Sequence, residues 1–333
     1  MDALLFNNKI NVTAELFKRS TSDILQRVNL PLSVGTNNPL FNIGKLENRG
    51  LDLLVGFNDR TANFSYGISS NISFLTNEVT RLYQDQPLST GFGRVEVGRS
   101  IGHIWGYKLG GIFQNQQEID AYFEEYDDEI IGNSNYVAPG DMYFLDVHGN
   151  PTEEERFYST TPDGRINSYD QTEIGNTIPG VTYGINLNAG WKGIDFTMNF
   201  YGEGKVDKVN SVRRTFESMS GAGSTYLATT LNRWTPSNTA TDMPRAVAND
   251  PAGNNRLSDR WVESAAFFRL NNWQIGYSLP ASLLARTKDS IRSLRVYVGG
   301  QNNLYMFRWR GLDPVNDEFP LPRSFNMGIN ASF

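Results

Sequence analysis

The sequence predicts an all-β fold of long antiparallel strands, and three observations support this prediction. Of the 333 residues, 12% are aromatic and 31 are glycine, whereas only 20% are charged, which is typical of β-rich proteins. Apolar and polar residues alternate along many segments, and this period of two places them on opposite faces of a sheet. Short turn-forming segments separate several of these alternating runs.

The alternating runs lie, in chain order, at residues 10–16, 51–57, 64–74, 181–191, 194–200, 294–298 and 324–333. The last run is the clearest: its polar face holds Ser, Asn and Gly, and its apolar face holds Phe325, Met327, Ile329, Ala331 and Phe333. A tight Lys192-Gly193 turn joins two of the runs. Near Asn271-Asn272 the apolar positions change from even to odd numbers, which predicts a β-bulge.

The polar faces and the run lengths point to a membrane. The polar positions carry Asn, Ser, Thr and Gly more than Lys and Glu, and runs of about 9–11 residues suit tilted transmembrane strands. The fold class predicted is therefore an antiparallel transmembrane β-barrel portion, an incomplete barrel with long extracellular loops. A soluble sandwich, with the apolar face as its core, is the alternative. Aromatic residues near the strand ends would suit interfacial girdles: Tyr66, Trp105, Tyr107, Trp191, Tyr201, Trp273, Tyr277 and Trp309.

Loops of two sizes also fit a barrel. Short links are predicted at 58–63 and 192–193, and long polar links at 20–48, 114–139, 148–179, 205–264 and 308–322. For both short links to lie on one side of a membrane, an even number of strands must separate them. We expect two such strands between Val95 and Val147, which brings the total to about ten strands.

The composition excludes several functions. The chain has no Cys and only two His, His103 and His148, so disulfides and thiolate metal sites are excluded and the usual zinc or triad sites have few candidates. A formal net charge of −6 argues against nucleic-acid binding, which requires a basic face. The acidic run at 124–129 reads as solvated loop surface. No catalytic residue is predicted.

Two sets of loop residues are candidates for binding. Asp163, Asn167 and Asp170 partly match an oxygen-ligand calcium loop, so Ca²⁺ is the one candidate cofactor; a turn held by Asx hydrogen bonds is the alternative interpretation. Trp234, Trp261 and Trp309 could stack on sugar rings, or could pack loops against each other.

Sequence blocks along nearly the whole chain resemble the SusC/RagA family of TonB-linked outer-membrane transporters. These blocks, in family order, are 42–50 (NIGKLENRG), 102–107 (GHIWGY) with 111–113 (GIF), 138–141 (APGD), 163–166 (DGRI) with Asp170 and 174–176 (IGN), 233–234 (RW), 268–270 (FRL) with 276–280 (GYSLP), 301–302 (QN), 311–314 (GLDP), 322–325 (PRSF) and the terminal Phe333.

The resemblance implies that residues 1–333 are the C-terminal part of a TonB-dependent receptor barrel in the cell outer membrane. The plug domain, TonB box and signal peptide of the family are not recognisable here. The family imports oligosaccharides or peptides with a SusD-like surface lipoprotein and TonB, so we expect glycan cargo first and peptide next. The fragment alone is not expected to transport. The resemblance also implies lipid contact and an assembly-machinery signal formed by Phe325, Met327, Ile329 and Phe333.

Other classes of function remain open at this stage. A soluble or surface-exposed carbohydrate-binding β-protein without a membrane span would share the alternating strands. A β-sandwich glycoside hydrolase would need two positioned carboxylates, and the sequence nominates no such pair.

Overall fold

A computed structural model describes residues 1–27, 40–221, 223–285 and 290–333. The strands, in chain order, are β1 (Asp2–Leu5), β2 (Ile10–Arg27), β3 (Leu40–Arg60), β4 (Phe64–Arg81), β5 (Leu88–Thr90), β6 (Gly93–Val95), β7 (His103–Gly106), β8 (Leu109–Ile112), β9 (Asp127–Asp128), β10 (Met142–Phe144), β11 (Arg165–Ile166), β12 (Thr172–Asn176), β13 (Val181–Trp191), β14 (Ile194–Gly204), β15 (Asp207–Val209), β16 (Val262–Ser264), β17 (Phe267–Ser278), β18 (Ser293–Gln301), β19 (Tyr305–Phe307) and β20 (Ser324–Ser332). The helices are α1 (Gln116–Glu125), α2 (Ser211–Phe216) and α3 (Ala281–Leu284).

One large antiparallel sheet dominates the structure. Its ten strands follow the order β1-β2-β3-β4-β13-β14-β17-β18-β20, with β19 paired to β17 beyond the end of β18. Each predicted alternating run lies within one of these strands, except that the last run extends one residue beyond β20, and 181–191 coincides with β13. The all-β antiparallel prediction is thus confirmed.

Two local predictions about the strands agree with the structure. Asn199 pairs with Asn272 and Phe200 pairs with Leu270, so Asn271 is the extra residue of a bulge in β17. Lys192 and Gly193 both have positive φ, 46° and 87°, which is the two-residue hairpin turn whose twist matches that of its strands. Gly193 adopts this backbone without a Cβ penalty.

The predicted pair of strands between Val95 and Val147 is wrong. Strand β4 pairs directly with β13 along eleven residues, from Phe64 opposite Trp191 to Phe74 opposite Val181. No strand of the large sheet separates β4 from β13, so the number of intervening strands is zero, which is still even. Both short links therefore lie at the same end of the sheet. The ten strands are completed instead by the short β1 and β19.

The predicted loop at 20–48 is also shorter than expected. Strand β2 continues to Arg27 and β3 begins at Leu40, with a register shift near Ile24. Residues 28–39 of that prediction lie outside the described residues. The polar side chains in this stretch suggested a loop, but paired backbone groups extend the hairpin.

The remaining long links fold into a second region, the loop assembly, which we define as residues 82–180, 205–266 and 308–323. It contains the small sheets of strands β5–β12, the β15–β16 pair and the helices α1 and α2. A buried cluster forms its centre: Phe113, Ile119, Tyr122, Ile131, Val137, Ile166 and Ala252.

The loop assembly contacts the end of the sheet opposite the short links. Val95 and Leu82 pack against Val79 of β4, and the Ile101 amide donates to Asn77 Oδ1 at 2.9 Å. Among the described residues, no helix has the length and apolar character needed to cross a membrane.

Candidate functional site: a two-faced wall and its loop assembly

One face of the large sheet is apolar and uncovered. Along one row, Met327 pairs with Val298, Val298 with Ile275, and Ile275 with Phe196. Met327 is 89% exposed, Val298 47% and Ile275 41%. No described element packs over this face as a second layer. A contiguous bare apolar face of this extent is a contact surface, so the dry compact centre that a soluble sandwich requires is not formed by this face.

Aromatic residues mark the two ends of the apolar face. At the short-link end, Tyr66 lies 5.6 Å from Phe57 and 5.2 Å from Phe64, measured between ring centroids. At the other end, Phe268 stacks on Phe200 at 5.3 Å and on Tyr183 at 6.0 Å. Two aromatic bands separated by an apolar strip are typical of strands that cross a bilayer.

Some predicted girdle residues lie elsewhere. Trp105, Tyr107 and Trp309 are buried in the loop assembly, because the segments that carry them do not join the large sheet. Tyr201 shares the polar face with its neighbour Asn199, since both are odd-numbered positions of β14 opposite the apolar Phe200.

The opposite face carries a ladder of side-chain amides. Asn186 Nδ2 donates to Ser69 Oγ at 3.4 Å, Asn199 Nδ2 to Asn186 Oδ1 at 2.6 Å, and Asn271 Nδ2 to Asn199 Oδ1 at 3.1 Å. The ladder therefore joins β4, β13, β14 and β17 through uncharged groups. Each amide keeps further donor or acceptor capacity, so this face of the sheet can form hydrogen bonds with water or with another polar molecule.

Charges on the polar face are paired close to the short-link end. Arg295 Nε and Nη2 contact the two Asp195 oxygens at 2.8 and 2.5 Å, and Nη2 also donates to Gln274 Oε1 at 2.7 Å. Gly276 makes room for this arrangement, because a Cβ there would lie 2.3 Å from Arg295 Nη2. The polar face of the sheet therefore carries little uncompensated charge close to the short links.

Buried charges hold the loop assembly together. Asp141 is fully buried and accepts two hydrogen bonds of 2.8 Å from Arg245 and one of 2.9 Å from Asn254 Nδ2. Arg245 and Asn254 lie more than 100 residues further along the chain. A bidentate ion pair of this kind compensates the buried charge and also fixes the relative orientation of the two segments that carry it. No role was predicted for Asp141, because its partners are distant in the chain and no local spacing indicates them.

A second charged network ties 205–266 to 308–323. Arg213 binds Glu217 at 2.7 Å and Glu263 at 2.9 Å, and Glu263 also binds Arg310 at 2.9 Å. Burial, with the Arg213 charge beside it, lowers the pKa of Arg260 to about 10.

The three candidate tryptophans are all covered by protein. Trp234 Nε1 donates to Gln114 Oε1 at 3.0 Å. The guanidinium carbons of Arg213 and Arg260 lie 5.3 and 4.9 Å from the centroid of the Trp261 ring. Trp309 packs with Val206, Ala265 and Phe307. In this structure the rings pack loops together, and sugar stacking by them stays a prediction that their placement does not favour.

The calcium candidates form a hydrogen-bonded turn. Asp163 accepts bonds from the Asn150 amide and Nδ2, both at 2.9 Å, and Asn167 caps a short 3₁₀ turn. Asp170 accepts from the backbone amides of Val147, His148 and Asn167 at 2.8–3.1 Å. Burial raises the pKa of Asp170 to about 6. No group of three or more His, Asp or Glu suited to a metal occurs in the described part of the chain, and Ca²⁺ binding stays a prediction.

The predicted assembly signal lies on the last strand of the sheet. Phe325, Met327 and Ile329 project from the apolar face of β20 and are 74%, 89% and 68% exposed, and Phe333 follows the strand at 78%. Their positions suit a role at the membrane, but recognition by assembly machinery stays a prediction.

A bare apolar face backed by an amide-lined face is the arrangement found in the wall of an outer-membrane β-barrel. The relatives agree with this assignment. TonB-dependent receptor P3 of Formosa agariphila is 28% identical over all of this chain and 33% of its own length. TonB-dependent receptor SusC of Bacteroides thetaiotaomicron is 27% identical over all of this chain and 31% of its own.

Solved structures show the same fold. The RagAB peptide transporter matches all of this chain and 34% of its own with a TM-score of 0.78 at 23% identity. No model of a protein family matches the chain. The chain is thus a homologue of TonB-dependent receptors over its whole length, and it spans about a third of the length of the curated relatives it matches. These relatives are named as receptors and transporters, not enzymes.

Proposed function

We propose that this chain forms the C-terminal part of the barrel wall of an outer-membrane importer driven through TonB. The uncovered apolar face carries the proposal, because it meets the acyl chains that a transmembrane strand requires. The amide face then lines a hydrated lumen. The short links lie on the periplasmic side and the loop assembly lies on the cell surface.

The cargo proposed is an oligosaccharide, with peptide as the second candidate. Side-chain amides such as Asn186 and Asn199 both donate and accept hydrogen bonds, which suits hydroxyl groups and peptide groups alike. Peptide is kept because the similar RagAB structure is a peptide transporter. A SusD-like surface lipoprotein is the proposed partner on the loop assembly, and contact with TonB is proposed for the parent protein.

The alternative of a soluble carbohydrate-binding protein has less support. It would need a second layer over the apolar face, and residues such as Val298 and Met327 have no such cover among the described elements.

Single-cysteine labelling tests the membrane proposal directly, since the chain has no Cys to remove. Ile275 and Gln274 are neighbours in β17 and project to opposite faces. In lipid vesicles, we expect Gln274→Cys to react with a hydrophilic maleimide and Ile275→Cys to be protected. A fluorophore at position 275, but not at 274, should be quenched by brominated acyl chains. Equal labelling of both positions would refute a membrane-facing wall.

A further inference from the structure

Four basic side chains lie together on the apolar face of the large sheet, at the end near the loop assembly. Lys18 of β2 lies opposite Arg49 of β3. Lys45 of β3 lies opposite Arg81 of β4. Alternate positions of one strand share a face, so Lys45 and Arg49 project to the same side as Leu51. We name these four cations the basic patch, and none of the roles described above uses it.

The basic patch begins where the apolar residues end. Leu16, Leu51 and Phe74 form the last apolar row across β2, β3 and β4, and Leu16 is 83% exposed. Lys18 and Arg49 come two positions before or after this row on the same face, and their side chains are 62% and 58% exposed. The border is therefore open, and a molecule that contacts Leu16 also reaches the two cations.

The basic patch carries more positive charge than the carboxylates around it compensate. Glu47 is 6% exposed, and its carboxylate lies 2.9 Å from Lys18 Nζ and also pairs with Arg49. Glu78 lies opposite Glu47, and Asp23 lies at the neighbouring register shift of β2. The four cations of the patch therefore face three carboxylates, and the set keeps a formal charge of +1.

The cations of the patch keep unused donors. Like charges directly opposite each other destabilise a sheet, and both opposed pairs of the patch are of this kind. Glu47 takes one of the three N–H groups of Lys18 and one of the five of Arg49, which leaves the others. Among the described residues, no carboxylate forms an ion pair with Lys45 or Arg81. The patch can therefore bind an anionic group from outside the chain.

The position of the patch selects the chemical class of its partner. A partner that fits this border presents negative charge to the cations and apolar groups to Leu16, and an anionic lipid does both. Phosphate oxygens accept hydrogen bonds from Lys and match the fork of an Arg guanidinium. Long Lys and Arg side chains beside an apolar surface extend their charged ends away from it. A zwitterionic lipid carries an ammonium group of its own, which the patch repels.

We propose that the basic patch binds the phosphate of an anionic lipid in the cell-surface leaflet, with the acyl chains lying along the apolar face from Leu16 onwards. The proposal rests on the membrane-facing wall proposed above and deepens it, since it names a lipid partner at one border of that wall. Glu47 is a positioning residue, because its buried carboxylate holds Lys18 and Arg49 beside each other. A lipid bound here fixes the depth of β2 and β3 in the membrane.

Native mass spectrometry of the full chain, released from detergent micelles, tests the site with phosphatidylglycerol and phosphatidylcholine of identical acyl chains. We expect the wild type to retain phosphatidylglycerol in preference. Lys45→Gln with Arg81→Gln removes two cations that hold no described carboxylate, so the fold should persist while retention of phosphatidylglycerol falls at least about fivefold. Lys192→Gln with Arg292→Gln removes the same charge at the short-link end, and this matched control should keep the preference.

A second variant changes Lys18, Glu47 and Arg49 together to Gln, so that no buried carboxylate is left unpaired. It should also lose the preference, and thermal melting checks that it is folded. Equal retention of both lipids by the wild type, or equal losses in the patch and control variants, would overturn the proposal. Displacement of the lipid by a polyglutamate peptide would assign the patch to an acidic protein and overturn it as well. Missing lipid preference with the expected labelling at 274 and 275 would reject the lipid site and leave the importer proposal standing.

Discussion

The large sheet and the loop assembly differ in where they place their apolar side chains. Nearly all fully buried apolar side chains belong to the loop assembly, among them Phe113, Ile119 and Trp261. The large sheet exposes Met327 and Val298 instead. The assembly excludes water by packing on itself, as soluble domains do, whereas the apolar face of the sheet has no cover among the described elements. One chain therefore contains two regions that place their apolar side chains differently, in the interior of the assembly and on the surface of the sheet.

Charges differ between the regions in the same way. The assembly buries Asp141, Asp170 and Arg213 and satisfies them with specific partners. The polar face of the sheet instead carries uncharged amides that hydrogen-bond to one another. The assembly therefore depends on individual pairings, while the sheet depends on a repeated alternating pattern.

The largest expected effect is in the assembly. Asp141→Ala removes the shared acceptor of Arg245 and Asn254 and leaves buried donors unpaired, which typically costs about 3–5 kcal/mol. Four of the six Trp residues lie in the assembly, so urea unfolding followed by Trp fluorescence should shift to lower urea while sheet circular dichroism persists. Asp120→Ala, on the exposed part of α1, should change little. An unchanged urea midpoint for Asp141→Ala would contradict the role given to this network.

A smaller effect is expected on the sheet. Val298→Lys places a charge on the apolar face, at a cost of about 2–4 kcal/mol near the middle of a bilayer. Thr197→Lys, on the polar face, should cost under about 1 kcal/mol because water reaches it. Unfolding in lipid vesicles measures both. Equal costs for the two lysines would remove the distinction between the faces.

The smallest effect concerns pH in the assembly. His103 is buried, its Nδ1 lies 2.8 Å from the Ser100 carbonyl oxygen, and burial lowers its pKa. Because the unfolded chain then takes up a proton at higher pH, stability should fall as pH drops below about 6.5. A single group contributes at most about 1.4 kcal/mol for each pH unit. His103→Gln should flatten the dependence between pH 7.5 and 5.5, measured by thermal melting; an equally steep curve would show that other groups cause it.

Much of the sheet could be predicted from the sequence because its signal is local. Alternation over 181–191 fixed the boundaries of β13, and the shift from Leu270 to Trp273 located the bulge. The prediction for residues 95–147 was wrong because it met the requirement for an even number of strands with two, whereas the structure meets it with none. Segments such as Leu109–Ile112 instead form small sheets within the loop assembly. The acceptor role of Asp141 was invisible, since its partners are distant in sequence.

The order of residues sets which side chains share a face of each strand, because the backbone alternates them whatever their surroundings. It also determined the turn at Lys192-Gly193 and the excess of neutral amides on one face. Contacts between distant segments, in contrast, place β4 beside β13 and Asp141 against Arg245. Those outcomes depend on contacts between distant segments, and the free energy of such contacts is not encoded in any local period.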